Sequence, residues 1–220
     1  MFSRFSVRGA DRRSIFVAAI LGLLCLWIPV VHAEQKAVVE SLDPEDIVEY
    51  SQAPPGVRSL IETALRLTKK GLGYRFGSHD VAKGGMDCSG SVYRVLSDLG
   101  LEPPRSSRAI FHWVKEADTL QRVPAGTGSL EHDSFANLSP GDLVFWSGTY
   151  HTGKGADAIS HVMIYLGTSK LDGKPVLFGA SSGRRFRGNR IHGVSVFDFA
   201  LPSKGSRSVF VGYGAVPGLR

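Results

Sequence analysis

The sequence predicts an α+β domain in which helices pack on an antiparallel sheet. Three observations predict it. Helical periodicity fills residues 57–117, strand-like runs fill residues 142–213, and Asp172-Gly173 between two of those runs is a hairpin signal. Helices first and strands second is the order of an α+β domain, whereas a parallel sheet would alternate them.

The first helix is expected after Pro55-Gly56. Val57, Leu60, Ile61, Ala64, Leu65 and Leu67 recur there at helical spacing, and Gly71 and Gly73 end the run. A loop rich in Gly and charge covers Tyr74 to Gly85. Cys88 to Leu99 reads as a second helix, with Val92, Val95, Leu96 and Leu99 on one stripe, Asp87 at its cap and Gly100 after its end. Ser106 to Ala117 reads as a third. Strands are expected at Asp142–Trp146 after a Ser-Pro-Gly turn, at His161–Leu166 closed by Gly167, and at Val176–Ala180, Gly193–Phe199 and Val209–Tyr213.

The N-terminus reads as a targeting segment rather than part of the fold. Arg4, Arg8, Arg12 and Arg13 precede an almost unbroken apolar run from Ile15 to Val31, and Val31-His32-Ala33 fits a signal-peptidase site. Residues 1–33 are therefore expected to be a signal peptide, with the mature chain beginning near Glu34. An uncleaved anchor is the alternative, but the run is short for a span of ~20 residues and Pro29 would break its end. Residues 34–56, acidic and closed by Pro54-Pro55, are expected to be a mobile leader, and residues 57–215 the folded domain. Loss of four Arg and Asp11 leaves 22 basic against 19 acidic residues, a net charge of about +3 in place of +6. That is weak support for nucleic-acid binding. Stable membrane insertion is not expected after cleavage, and the mature protein is expected to be a monomer.

Of the two cysteines, Cys25 and Cys88, only Cys88 survives cleavage. An exported protein normally pairs its cysteines or avoids them. A lone thiol is either a small buried hydrophobe or a reactive group, and its neighbours decide. In Gly85-Met86-Asp87-Cys88-Ser89-Gly90 the thiol falls in the first turn of a helix, where free N–H groups and the helix dipole favour a thiolate. The same N–H groups can cradle an oxyanion. His161, at the start of a strand with Val162, Ile164 and Leu166 on one aliphatic face, supplies a rigidly mounted base.

These segments carry a resemblance. "GYRFGS", "GMDCSGSVYRVLSDLGLEPPRSS", "LSPGDLVFW" and "ISHVMIYLG" stand in the order of the motifs of the NlpC-type bacterial cell-wall cysteine peptidases, over about residues 57–213. The resemblance implies a reduced papain-like fold, with Cys88 as nucleophile and His161 as general base. It implies that Tyr74 and Asp87 lie against the free amine of the substrate and that Ser89 lines the same turn. It also implies the bond: an amide between γ-D-glutamyl and a diamino acid in a peptidoglycan stem peptide. No metal or organic cofactor is implied.

The sequence departs from the family at one place. The third polar residue, which orients the imidazole, falls by motif on Gly179. Ser181, two residues on and on the same strand face, is the expected substitute. Asn189, His192, a backbone carbonyl or a water remain alternatives. Arg184, Arg185, Arg187 and Arg190 form a basic run that reads first as a solvated loop and second as a surface facing substrate carboxylates. His79, Asp80, His151, Asp157 and His161 match no zinc-ligand spacing.

Overall fold

The computed structural model describes residues 36–150 and 158–219. The expected signal peptide, residues 1–33, lies outside them, as do His151 and Asp157. Helix α1 (Pro55–Thr68) begins with proline at its first turn, where a missing N–H costs nothing, and buries Val57, Leu60, Ile61, Ala64 and Leu65. Two short strands follow, β1 (Gly73–Tyr74) and β2 (Gly85–Met86), paired in parallel. Helix α2 (Cys88–Asp98) starts on Asp87, and α3 (Ser107–Glu116) on Ser106, whose hydroxyl accepts the Ala109 N–H at 3.2 Å. The strands are β3 (Leu120–Arg122), β4 (Leu143–Ser147), β5 (Ile159–Thr168), β6 (Pro175–Ser181), the small hairpin β7 (Arg185–Phe186) and β8 (Asn189–Arg190), then β9 (Gly193–Asp198) and β10 (Val209–Gly214).

Six of these strands form one antiparallel sheet in the order β3-β10-β4-β5-β6-β9, with α2 against β5 and β6 and α3 against β5. The chain is an α+β domain, as its segregated order predicts. Strand β5 lies near the centre of the sheet, and every residue from Ile159 to Gly167 is buried. The alternation of His161, Met163 and Tyr165 with Val162, Ile164 and Leu166 therefore does not separate a wet face from a dry one, because both faces are covered. A base on such a strand has little freedom to move.

Residues 36–53 do not form the mobile leader expected of them. Leu42 and Ile47 are buried in the core, Val38 bridges to His192 and Ile47 to Ser169. The Glu49 carboxylate accepts the Thr168 N–H at 2.9 Å and its hydroxyl at 2.8 Å, fastening the segment to the β5–β6 hairpin. Two apolar side chains among acids are enough to anchor it, since each buried aliphatic side chain is worth about 1.5–3 kcal/mol.

Candidate active site

The first half of the site is the entry to α2. Asp87 is extended and its Oδ1 accepts the Gly90 N–H at 2.6 Å, so the helix starts at Cys88. Gly90 is required there, because a Cβ would lie 2.0 Å from the Ser78 carbonyl oxygen. Asp87 also accepts the Gly77 N–H (2.8 Å), the Ser89 hydroxyl (3.3 Å) and both terminal nitrogens of Arg105, each at 3.1 Å. Its carboxylate is thus fully engaged inside the protein. The expected contact of Asp87 with a substrate amine meets a group already saturated with donors. Arg105 reaches Ser89 Oγ as well (2.9 Å) and His79 Nδ1 (3.3 Å).

The second half is the centre of the sheet. His161 on β5 faces Trp146 across the β4–β5 pair, ring centroids 5.5 Å apart at 55°. The Val162 backbone acts on the Cys88 thiol, pulling its pKa down against burial, so the helix start lies near the strand beside His161. Two clefts meet there. One, of about 580 Å³, is lined by His161, Trp146, Ser181 and Arg184 among others. The second, of about 270 Å³, is lined by Cys88, Ser89, Asp87 and Arg105 among others. Tyr74 and Tyr150 line both. His192 packs its ring edge-on against Tyr74 at 6.4 Å. Tyr74 and Ser89 line the smaller cleft together with Cys88.

Burial reverses the expected charge state. It pushes the Cys88 thiol up to about 11, against the pull of the Val162 amide. It holds His161 well below the ordinary imidazole range of 6.5, and the Arg184 cation adds to that effect. The resting pair is a thiol beside a neutral imidazole, so the helix start does not by itself deliver a thiolate. Alkylation of the unliganded protein by iodoacetamide should be slow at pH 7 and rise about tenfold per pH unit, as the thiolate fraction does, until about pH 11. Stability follows the same shifts. The unfolded chain takes up a proton on His161 below about pH 6.5 and releases one from Cys88 above about pH 9, while the folded chain does the first only at lower pH and the second only near pH 11. Stability should therefore fall on both sides of that window, which denaturant midpoints across pH would show.

The orienting partner is not where the sequence puts it. Ser181 lines the cleft with His161, but its hydroxyl accepts the Gly183 and Arg184 N–H groups, both at 3.4 Å, and no hydrogen bond joins it to the imidazole among the described residues. Ser181 is thus a turn-holding residue. His161 Nε2 is buried without a partner among the described residues, and the ring is held by packing on Trp146. Asn189 is exposed in the β7–β8 hairpin, and His192 packs edge-on against Tyr74, its Nδ1 buried without a hydrogen-bond partner among the described residues.

Gly179 is explained by its neighbour. A Cβ there would lie 2.9 Å from Met163 Cε and 3.1 Å from its Cγ, so the Met163 side chain fills the space a third residue would use. Gly179→His should therefore not improve the site. Overpacking of this kind costs about 1–3 kcal/mol. Gly179→His is expected to lower both melting temperature and activity, and adding Met163→Gly is expected to recover part of each.

Arg184 is the residue that sequence reasoning missed as an individual. It is half-buried, with its guanidinium carbon 4.1 Å from the Trp146 ring centroid. Burial lowers its pKa to about 10, and the neighbouring Cys88 opposes that. The usable signal was its place three residues beyond Ser181, where the strand that pairs with the one carrying His161 ends.

A model of the NlpC/P60 family matches residues 71–183, just over half of the chain, including both Cys88 and His161. The chain belongs to the NlpC/P60 family. Among solved structures it is similar to an NLP/P60 family protein from Staphylococcus aureus, at 22% identity over 81% of this chain and 43% of that one, TM-score 0.45. It is similar to the peptidoglycan hydrolase RipB of Mycobacterium tuberculosis, at 21% identity over 76% and 69%, TM-score 0.40. It is also similar to RipD of Mycobacterium tuberculosis, a non-catalytic NlpC/p60 domain protein adapted to peptidoglycan binding, at 16% identity over 74% and 99%, TM-score 0.42. The chain spans less than half the length of the staphylococcal protein. No curated protein matches it. Within the NlpC/P60 match lie the helix start, the base-bearing strand and the turn before Arg184, so the family segment holds the whole lining of the smaller cleft, whereas part of the larger, Arg184 and residues from Ala200 to Ser208, lies beyond it.

Proposed function

We propose that this protein is a cell-wall cysteine hydrolase that cuts an amide bond in peptidoglycan stem peptides, the γ-D-glutamyl–diamino acid bond. The observation that carries the reading is the approach of Cys88 to the Val162 backbone, which brings the start of α2 near β5 beside His161, at the meeting of two clefts. Membership of the NlpC/P60 family supports the hydrolase class.

The chemistry follows from a neutral pair. As the Cys88 sulphur attacks the amide carbonyl, its proton passes to His161, which is free to accept it because it is not protonated at rest. The tetrahedral oxyanion forms next to the first-turn N–H groups of α2. His161 then protonates the leaving amine, a thioester on Cys88 remains, and water releases the acid. Tyr74 and Ser89 line the acyl side. Asp87 serves by capping α2 and by clamping Arg105 and the Gly77 loop. Ser181 shapes the turn before Arg184. No cofactor enters this scheme.

The basic start and apolar run of residues 1–33 support export, with peptidoglycan as the partner outside the cytoplasm. Among the described residues no helix is long and apolar enough to cross a membrane.

A second reading, a silent peptidoglycan-binding protein, draws on the unpartnered His161 Nε2. Digestion of purified muropeptides followed by mass spectrometry separates the two. The proposed enzyme yields fragments with a new diamino-acid amine and a new γ-glutamyl acid. A silent protein returns the muropeptides unchanged.

A further inference from the structure

We propose that Arg184 is the receptor for a carboxylate on the leaving-group side of the scissile bond. The cleft beside His161 then selects substrates whose released amine belongs to a residue with a free carboxylate nearby. The direction rests on the proposed function, because the general acid protonates the departing nitrogen and so fixes the side to which the leaving group lies. Of the two clefts, the larger is lined by His161 and the smaller by Cys88.

The charge of the larger cleft is one-sided. Its described lining contains His161, Arg184 and Arg207 and no acidic side chain. Arg184 has no carboxylate partner among the described residues, unlike Arg94, Arg105 and Arg187. Arg187 pairs with Asp172 at 3.2 Å, and Arg105 with Asp87 at 3.1 Å. An arginine that is half-buried and, among the described residues, unpaired is costly, and an arriving anion offsets that cost.

Arg184 is also held ready. Its guanidinium carbon lies over the fully buried Trp146 ring, 4.1 Å from the centroid, a cation–π contact that restrains the fork. Its backbone N–H and that of Gly183 donate to Ser181 Oγ, which sets the turn. Across the cleft, the Thr149 N–H donates to Ser160 Oγ at 2.9 Å, tying that wall to β5. A planar fork packed on an aromatic ring, its donors without a partner among the described residues, suits bidentate capture of a carboxylate, and a carboxamide supplies neither the charge nor the second acceptor.

Calorimetric titration of the Cys88→Ala protein tests this without hydrolysis. The probes are a diaminopimelyl-D-alanine dipeptide with free carboxylates and the same dipeptide with its carboxylates converted to carboxamides. The free acid is expected to bind on the order of 30-fold more tightly. Arg184→Gln should bring that ratio close to one, and Arg184→Lys should keep part of it. Equal affinity for the two forms, binding of neither, or full discrimination surviving in Arg184→Gln would each overturn the proposal. If discrimination appears while the Arg184-intact, Cys88-containing protein cuts no stem peptide, the proposed function fails and the receptor stands. If stem peptides are cut without discrimination, the receptor alone fails.

Discussion

Cys88→Ala is expected to abolish hydrolysis, and His161→Ala to lower kcat by at least about a thousandfold, with folding intact in both. The cysteine forms the covalent bond, so no neighbour can replace it. The histidine carries the proton both ways, and a positioned acid–base group is worth roughly 10²–10⁴ in rate. Here the loss should fall at the upper end. A thiol pushed up to about 11 is almost wholly protonated at neutral pH, so attack depends on a base to remove the proton as the bond forms. The pH profile carries the same signature. His161 stays neutral well below its ordinary pKa, so kcat/KM should hold through mildly acidic solution and fall only as pH drops through that depressed value. Steady-state kinetics with a defined stem tetrapeptide between pH 4 and 9 would check both points. The circular dichroism of each variant should match that of the wild type, since both side chains are small parts of a large core.

Asp87→Ala is expected to be among the most destabilising single changes at the site, by about 3–4 kcal/mol. The cap of α2 goes, worth about 1 kcal/mol. The Gly77 N–H loses its acceptor, and Arg105 loses the partner that both of its terminal nitrogens address. Breaking a buried ion pair from one side costs about 3–5 kcal/mol, and the one-third exposure of Arg105 places this pair at the lower end. For a domain of this size the melting temperature should fall by roughly 6–15 °C. Asp87→Asn keeps the cap acceptor and loses the charge, so it should fall about half as far. This decides what Asp87 does. A carboxylate reserved for the substrate amine would give Asp87→Asn a raised KM with an unchanged melting temperature. A clamp gives a lowered melting temperature first, and a loss of activity only through displacement of the Cys88 turn.

Much of the fold was legible because its elements are long enough to show a period. Three helices and five strands of the main sheet announce themselves through Leu60 and Ile61, through Val92 and Val95, and through the runs around Trp146, Met163 and Phe178. Strand β3, the β1–β2 pair and the β7–β8 hairpin are two or three residues long, too short for any period to appear. Leu42 and Ile47 were hidden among acids, so residues 36–53 read as a loose leader until their burial was seen.

The candidate site divides in the same way. Cys88, His161, Tyr74 and Ser89 are visible from local motifs. The filling of the Gly179 space by Met163 is a relation between adjacent strands, and the packing of Arg184 on Trp146 brings the turn after β6 to β4, two strands away. Such relations depend on register, and register here shifts at a bulge between Tyr165 and Gly167. The charge state depends on burial, which a motif does not carry. Asp87-Cys88-Ser89 at a helix start argues for a thiolate, and the desolvation of the packed site outweighs it.

The most direct measurement is rapid-quench mass spectrometry of the protein during turnover of a stem tetrapeptide. The quenched protein should carry a thioester whose mass equals the acyl fragment bound with loss of the leaving amine, and peptide mapping should place it on Cys88. Turnover with no adduct on Cys88, together with full activity in Cys88→Ala, would contradict it.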